Sequence, residues 1–545
     1  MSARATLAAL AIVLAASCGG SAPPRAQRPG VPAGARVGVD PVPSVHLFEN
    51  HSTSLVVWRR AGARDRILVH VDGHSDLDWL PDATIARLAA AEPDELPRLE
   101  LHPYALDDST HARFAIWDFV YPAFRLGVVR EYVWVVPDGT LADAAAASDL
   151  VRRMILGKMQ MVSLEDAGRL HREGRTIRGT LYGLPVTVCE LNDLPSFAEP
   201  VLLDIDLDFM TTASATSQEV TAEPWIAPDA LVARLRERGV RADIATLSYS
   251  TVGGYLPPAS RWVGPATAAE LARTASSPDD RSRRRLAADT AFAQGRDAEA
   301  VAILSELAAG HPEDGSIAYA LARAYARMGR SSDRADAWSA AVAADPILEH
   351  AVLFEADALW MSQRYAEALE LYRSYRRDHP SGPYRAYGLR REAGCLLRTG
   401  RDAEAIAAFR KVTALAPRHG DTRLDLGVLL REQGDLDGAV AELSRAREIL
   451  PSLGAYAMAL GATLARRGDL ARAIEQVQAA VALRPTWTQA RTNLGVLLLE
   501  AGRTADAAEQ LSAAATLEPD DPGIARLLAR VRRQGAAAGG VPPVR

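Results

Sequence analysis

Two different spacings of apolar residues divide the chain. Between residues 41 and 275, short apolar runs are separated by polar or helix-like stretches, which predicts strands over 66–72, 131–136, 201–208 and 242–249 in an α/β sheet domain. From 283 to 535, small and apolar residues recur with helical spacing in paired segments, each pair closed by a proline. Ahead of both, Ala5 to Ser17 is one apolar run behind Arg4, too short to span a bilayer and suited to the core of a signal peptide.

The prolines at 312, 346, 380, 417, 451, 485 and 519 recur about every 34 residues, a period that marks a repeat architecture. Leu426-Gly427, Leu430, Gly434, Ala439, Leu443 and Ala446 before Pro451 return as Leu460-Gly461, Leu464, Gly468, Ala473, Val477 and Ala480 before Pro485. They return again as Leu494-Gly495, Leu498, Gly502, Ala507, Leu511 and Ala514 before Pro519. This pattern resembles the tetratricopeptide-repeat signature, in which small residues let two antiparallel helices approach and the proline ends the second. Earlier repeats are less regular: Ala393 replaces the glycine, Arg334 takes a usual alanine position, and the interval from Pro380 to Pro417 is longer. The resemblance implies seven repeats stacked into an all-α superhelix, or solenoid, whose concave face docks a peptide or protein. The alternative is a spacer that holds the N-terminal domain away from a membrane.

At 545 residues the chain exceeds one ordinary core. Its 48% apolar and 24% charged content and formal net charge of −6 argue against both disorder and a nucleic-acid partner. Cys18, Cys189 and Cys395 lie too far apart in sequence for a zinc knuckle or a redox pair. Leu14-Ala15-Ala16-Ser17-Cys18-Gly19 resembles a bacterial lipobox, although the leucine lies four residues before the cysteine and three is usual. The resemblance implies a signal over 1–18, lipidation of Cys18, and membrane attachment by that lipid anchor in the bacterial cell envelope, periplasmic or outer-membrane associated. An ordinary cleaved secretory signal is the other reading. Residues 19–40, rich in Gly, Pro and Ala, read as a flexible tether, and 536–545 as a disordered tail.

The chemistry lies in the first half. The apolar run 67–71 leads directly into Asp72, His74 and Asp76, and the run from Val201 carries Asp204, Asp206 and Asp208 at alternate positions. Loops at strand C-termini are where open α/β sheets build sites, and a strand would point the three alternating aspartates to one face. Carboxylates that close repel one another, and burial raises their pKa unless a cation neutralises them. Acids capping turns at a solvated sheet edge are the competing account. A calcium loop of the EF-hand kind fits neither run, because Leu77 or Phe209 stands at the sixth position and Ala83 or Ala215 at the twelfth.

Asp72-Gly73-His74-Ser75-Asp76 is similar to the Asp-x-His-x-Asp motif of arginases and related ureohydrolases, and Asp204-Ile205-Asp206 to their Asp-x-Asp motif. His51 in Glu49-Asn50-His51 matches the upstream histidine ligand. With FENHSTSLVVW, ILVHVDGHSDLDW, FAIWDFVYPAFRLGVVREYVWVVPD and VLLDIDLDFM, the segment 44–260 looks like a branch of that superfamily containing peptide arginases, which convert peptidyl arginine to ornithine.

The resemblance implies an arginase-like parallel-sheet domain over 41–275 with metal ligands His51, Asp72, His74, Asp76, Asp204 and Asp206. It further implies two divalent ions, Mn²⁺ first and Fe²⁺ or Zn²⁺ as alternatives, and hydrolysis of a guanidinium C–N bond with release of urea. Asp208 departs from the ureohydrolase pattern, lying four residues after Asp204 where five is usual and being followed by Phe209, not proline. His102, His111 and His171 are candidates for the protonating histidine, each equally readable as a surface or packing residue. Asp118 either meets a cationic substrate or is a helix-surface charge. Two further readings stay open: a deacylase of the same superfamily with one zinc, and a non-catalytic scaffold whose repeats carry the function. The anchoring expectation is checked by metabolic labelling: wild-type protein is expected to incorporate fatty acid and Cys18→Ser to lose the label, and equal labelling would contradict it.

Overall fold

The computed structural model describes residues 41–102, 104, 106, 113–156, 169–212, 224–273 and 280–538. Cys18, the tether and His111 lie outside the described residues. The eight strands of the N-terminal domain are β1 (Ser44–Phe48), β2 (Arg66–Val71), β3 (Val129–Val136), β4 (His171–Glu173), β5 (Thr176–Leu181), β6 (Leu184–Glu190), β7 (Val201–Asp206) and β8 (Ala242–Ser248). They form one sheet in the order β1-β8-β7-β2-β3-β6-β5-β4. Pairing is parallel from β1 through β6 and antiparallel across β6, β5 and β4. All four expected strands are present, but β7 stops at Asp206. Leu207–Met210 turns into a 3₁₀ segment, so Asp208 does not continue the strand alternation expected of it.

Strands buried on both faces need apolar residues on both, and residues 132–136 of β3 and 201–203 of β7 supply them. One face packs Leu68, Tyr132, Trp134, Val188 and Leu202 against helices α1 (Thr53–Arg60), α2 (Asp82–Ala90), α3 (Val120–Arg125) and α4 (Ala144–Leu156). The other packs Val69, Val133, Leu203, Ile205 and Leu247 against α5 (Pro228–Glu237) and α6 (Val263–Ala272). A strand period of two then decides where each polar residue goes. His70 and Asp72 share the face of Leu68, Asp204 and Asp206 that of Leu202, and Thr246 that of Ile244.

The second half is all helix. Helical hairpins are formed by α7 (Asp280–Ala293) with α8 (Asp297–Gly310), α9 (Gly315–Arg327) with α10 (Ser331–Ala344), α11 (Ala351–Met361) with α12 (Tyr365–Asp378), and α13 (Arg385–Arg398) with α14 (Asp402–Leu415). They continue with α15 (Gly420–Glu432) and α16 (Leu436–Ile449), α17 (Gly454–Arg467) and α18 (Leu470–Leu483), and α19 (Thr488–Glu500) and α20 (Thr504–Leu517). A last helix, α21 (Pro522–Ala538), lays Leu527, Leu528 and Val531 on the final hairpin and runs past residue 535, where a disordered tail was expected to follow.

The repeat glycine has a steric reason. A Cβ on Gly461 would lie 2.6 Å from Val477 Cγ2 and 3.1 Å from the Ala473 carbonyl oxygen, so only glycine lets α17 and α18 pack at this distance. Among the described residues no helix is long and apolar enough to cross a membrane.

The two halves meet along repeats one to four, and Arg484 after the sixth lies close enough to Asp78 and Tyr182 to feel their charges. Arg285 donates to the Ala259 carbonyl at 2.6 Å, Arg261 Nε to Asp345 at 2.9 Å, and His102 stacks on Tyr384 at 5.6 Å. The residues that lengthen the interval after Pro380 fall mainly in the linker 379–384, which delivers Tyr384 to this contact. Gly461→Val is expected to destabilise the array by roughly 1–3 kcal/mol in thermal denaturation. Gly310→Ala, with open space at its Cβ, is expected to leave the melting temperature unchanged; equal effects of the two would refute the steric account.

Candidate metal centre

The parallel order places β2, β7 and β8 side by side, and the register aligns His70 with Asp204 and Asp204 with Thr246. Because the strands run the same way, their C-terminal ends gather Asp72, Asp204 and Asp206 at one edge. The turn after β2 brings His74 and Asp76: the His74 amide donates to Asp72 Oδ1 at 2.7 Å, and Asp76 takes a positive φ of 45°. In the turn after β7, the Asp208 amide donates to Asp206 Oδ1 at 3.1 Å, which folds the Asp208 side chain back toward His74. His51 enters from the segment after β1.

The result is one contiguous cluster. His51 Nε2 lies 2.8 Å from Asp204, and its Nδ1 lies 2.9 Å from Asp76, 3.0 Å from Asp206 and 3.5 Å from Asp72. His70 sits between Asp204 at 2.8 Å and Asp72 at 3.2 Å, and His74 between Asp208 at 3.2 Å and Asp72 at 3.3 Å. Hydroxyls orient the acids: Ser54 and Thr246 donate to Asp204 Oδ1 at 2.7 and 2.5 Å, and Ser250 donates to Asp206 Oδ2 at 2.5 Å. Phe119, Tyr132 and Tyr255 pack their rings against His51, His70 and His74 respectively.

The electrostatics follow from this crowding. Burial draws His51 down, but the Asp204 and Asp206 charges more than reverse it and raise it well above the usual histidine value. His70 rises against burial to about 9 through Asp204 and Asp72, and His74 rises through Asp208 and Asp72. Burial opposes ionisation of Asp72 and Asp204 as well, yet the histidines hold both well below the usual carboxylate range. Burial and the Asp72 charge push Asp76 up to about 6, and burial with the Asp206 and Asp72 charges raises Asp208 well above normal. Positive charge at the histidines is what tolerates the carboxylates here.

A metal could take over that role. His51 Nδ1, His70 Nε2, Asp72 Oδ2, His74 Nε2 and Asp208 Oδ1 are buried without a hydrogen-bond partner, an unusual concentration of orphaned donor atoms. Four overlapping groups bring one ligand atom per residue within 4.8 Å of one another: His51, His70 and Asp204; His51, Asp72 and Asp206; His70, Asp72 and Asp76; and Asp72, His74 and Asp208. Mixed imidazole and carboxylate donors suit a first-row divalent ion.

All six ligands expected from the sequence come together, and His70 and Asp208 join them. His70 was hidden inside the apolar run of β2, although its position two residues before Asp72 puts both on one face. Asp118 corrects a reading: it is not a helix-surface charge but sits in a buried turn, 2% exposed, accepting from the Ala115 amide at 2.7 Å. Burial, together with Asp78 and Asp76, raises its pKa well above normal. His171 is exposed on β4 beside Glu173, and His102 lies at the array contact, so neither is part of the cluster.

Tetratricopeptide-repeat family models match residues 319–383, 396–462 and 464–531, and the C-terminal region is built of these repeats. Repeats of this class generally bind peptide or protein partners. Among solved structures, the chain is similar to MamA residues 41 to the end from Desulfovibrio magneticus RS-1, at 21% identity over 31% of this chain and 95% of that one, with a TM-score of 0.30. It is also similar to TTC0263, a thermophilic TPR protein in Thermus thermophilus, at 25% identity over 34% and 99%, TM-score 0.27. A third is YrrB, described as a TPR protein with an unusual peptide-binding site, at 22% identity over 36% and 97%, TM-score 0.30. No curated protein matches the chain.

The raised histidines set a pH dependence. Without metal, the stability from the His70 ion pairs is fully present below the unfolded histidine pKa and is lost as pH rises through about 9. Metal must displace that proton. Loading with Mn²⁺ near pH 7.5 in weak buffer is expected to release protons, with affinity falling about tenfold for each unit by which pH is lowered, per proton displaced. Binding without proton release would contradict the arrangement.

Proposed function

We propose that the N-terminal domain is an arginase-like dinuclear metallohydrolase acting on the C–N bond of a guanidinium group, in peptidyl arginine or a related substrate, to give urea and an ornithine side chain. The observation that carries this reading is the concentration of orphaned imidazole and carboxylate atoms at the shared edge of β2 and β7. When bound there, two divalent ions supply water activation at neutral pH and polarise the bond to be cleaved.

The chain's own residues do the rest. Ser54 and Thr246 hold Asp204, Ser250 holds Asp206, and the His74 amide holds Asp72, so ligand directions are set before any ion arrives. Five ionised aspartates would outnumber the charge of two divalent ions by one. The surplus suits a cationic guanidinium and disfavours an anionic substrate.

On this proposal the repeats dock the peptide or protein that carries the reacting group, and the lipid anchor at Cys18 holds both halves at the bacterial envelope. A second reading has one specific support, the repeat matches themselves: the array alone recruits a partner and the metal domain is structural. A single-zinc deacylase differs from both in metal stoichiometry.

Urea and ornithine formation from arginine-containing peptides separates these readings. Mn²⁺-loaded protein is expected to release urea, and Asp72→Ala or Asp204→Ala to lower kcat at least about a thousandfold, corresponding to ~4 kcal/mol of lost barrier reduction. Retained turnover in both variants would exclude the cluster as the catalytic centre. Absence of urea with every arginine peptide, in metal-loaded wild type, would favour the scaffold reading.

A further inference from the structure

One set of polar residues that joins the array to the N-terminal domain converges on a buried carboxylate. Asp357, on α11 of the third repeat, is fully buried. Its Oδ1 accepts from Tyr372 at 2.5 Å and Tyr387 at 3.0 Å, and Arg391 Nε lies 3.5 Å away while donating to the Tyr387 hydroxyl at 2.6 Å. Its Oδ2 accepts from Tyr104 of the metal domain at 2.6 Å. The Tyr104 oxygen in turn accepts from the Gly253 amide at 3.0 Å. A carboxylate in the array is thereby two hydrogen bonds from a backbone amide in the loop that follows β8.

That loop is a wall of the metal centre. Ser250, at a positive φ of 44°, donates to Asp206, and the Tyr255 ring stands edge-on to His74 at 5.0 Å between centroids. Gly254 lies against α11 so closely that a Cβ would come within 2.5 Å of the Ala358 nitrogen and 2.6 Å of the Asp357 carbonyl carbon. A second tie runs in parallel: Glu49, two residues before His51, accepts from the Val252 amide at 3.0 Å and from Arg261, which also donates to Asp345 of the array. Both segments fastened to the array therefore carry groups of the cluster.

We infer that Asp357 is a positioning residue for the metal centre: through Tyr104 it sets the loop 250–255 that aims Ser250 at Asp206 and Tyr255 at His74. The inference rests on the metal-site reading above, and it makes the third repeat part of the scaffold of that site. A satisfied buried carboxylate specifies one geometry, because any shift leaves it with unpaired lone pairs in a low-dielectric setting. An apolar contact of the same area would hold the halves together without fixing the loop's register.

The test uses the full mature chain with Tyr104→Phe, Asp357→Asn and, as control, Tyr365→Phe, which removes a hydroxyl of the third repeat that accepts from Arg398 of the fourth, outside this network. Hydrogen exchange of 249–257 and Mn²⁺ titration are read in each, with thermal denaturation to confirm folding. Tyr104→Phe keeps the ring and loses both hydrogen bonds, so exchange at Gly253 is expected to rise about tenfold. Mn²⁺ affinity is expected to fall several-fold in Tyr104→Phe and Asp357→Asn and to stay at the wild-type value in Tyr365→Phe. Wild-type exchange and affinity in Tyr104→Phe would overturn the inference. If Asp357→Asn unfolds the array, Tyr104→Phe alone decides. If wild-type protein binds no Mn²⁺, the metal reading fails, while exchange at Gly253 still shows whether Asp357 sets the loop.

Discussion

Burying several carboxylates within a few ångströms of one another is the constraint around which the N-terminal domain is organised. Asp72, Asp76, Asp204, Asp206 and Asp208 are all at least nine-tenths buried, beside the fully buried His51 and His70. Such a set is unstable unless positive charge is supplied. Protonated histidines supply it in the absence of metal, and the same nitrogens can bind a metal only when that proton leaves. On the proposed metal-site reading, a bound ion would exchange one source of positive charge for another, and stability, proton binding and metal binding would be linked.

The fold meets this constraint with ordinary means. Parallel strands put the C-terminal ends of β2, β7 and β8 at one edge, and the period of two turns their polar residues to one face. Hydroxyls from α1 and from β8 with its following loop then fill lone pairs that would otherwise be unpaired. The repeat array presses against the loops that close this edge.

Much of this was legible in the sequence because it depends on local periods. The proline interval and the recurring Leu-Gly pair revealed the repeats, and alternation placed Asp72, Asp204 and Asp206 on strand ends. His70 was overlooked because one polar residue in an apolar strand reads as an exception until the neighbouring strand is known to present Asp204 beside it. Asp208 was read as the third of the alternating aspartates, but its route to the cluster was not legible: the strand ends at Asp206, whose side chain caps a 3₁₀ turn. Asp118 and Asp357 were illegible in principle. Each looks like a surface acid on one segment, and only contacts hundreds of residues apart in the case of Asp357, or a buried turn in the case of Asp118, give it a role.

The most direct measurement of the central claim is elemental analysis of the mature protein after Mn²⁺ loading and removal of free metal, combined with electron paramagnetic resonance. The account predicts two manganese ions per chain with the spectrum of an exchange-coupled pair. A chain that retains no manganese, or a single magnetically isolated ion, would contradict it.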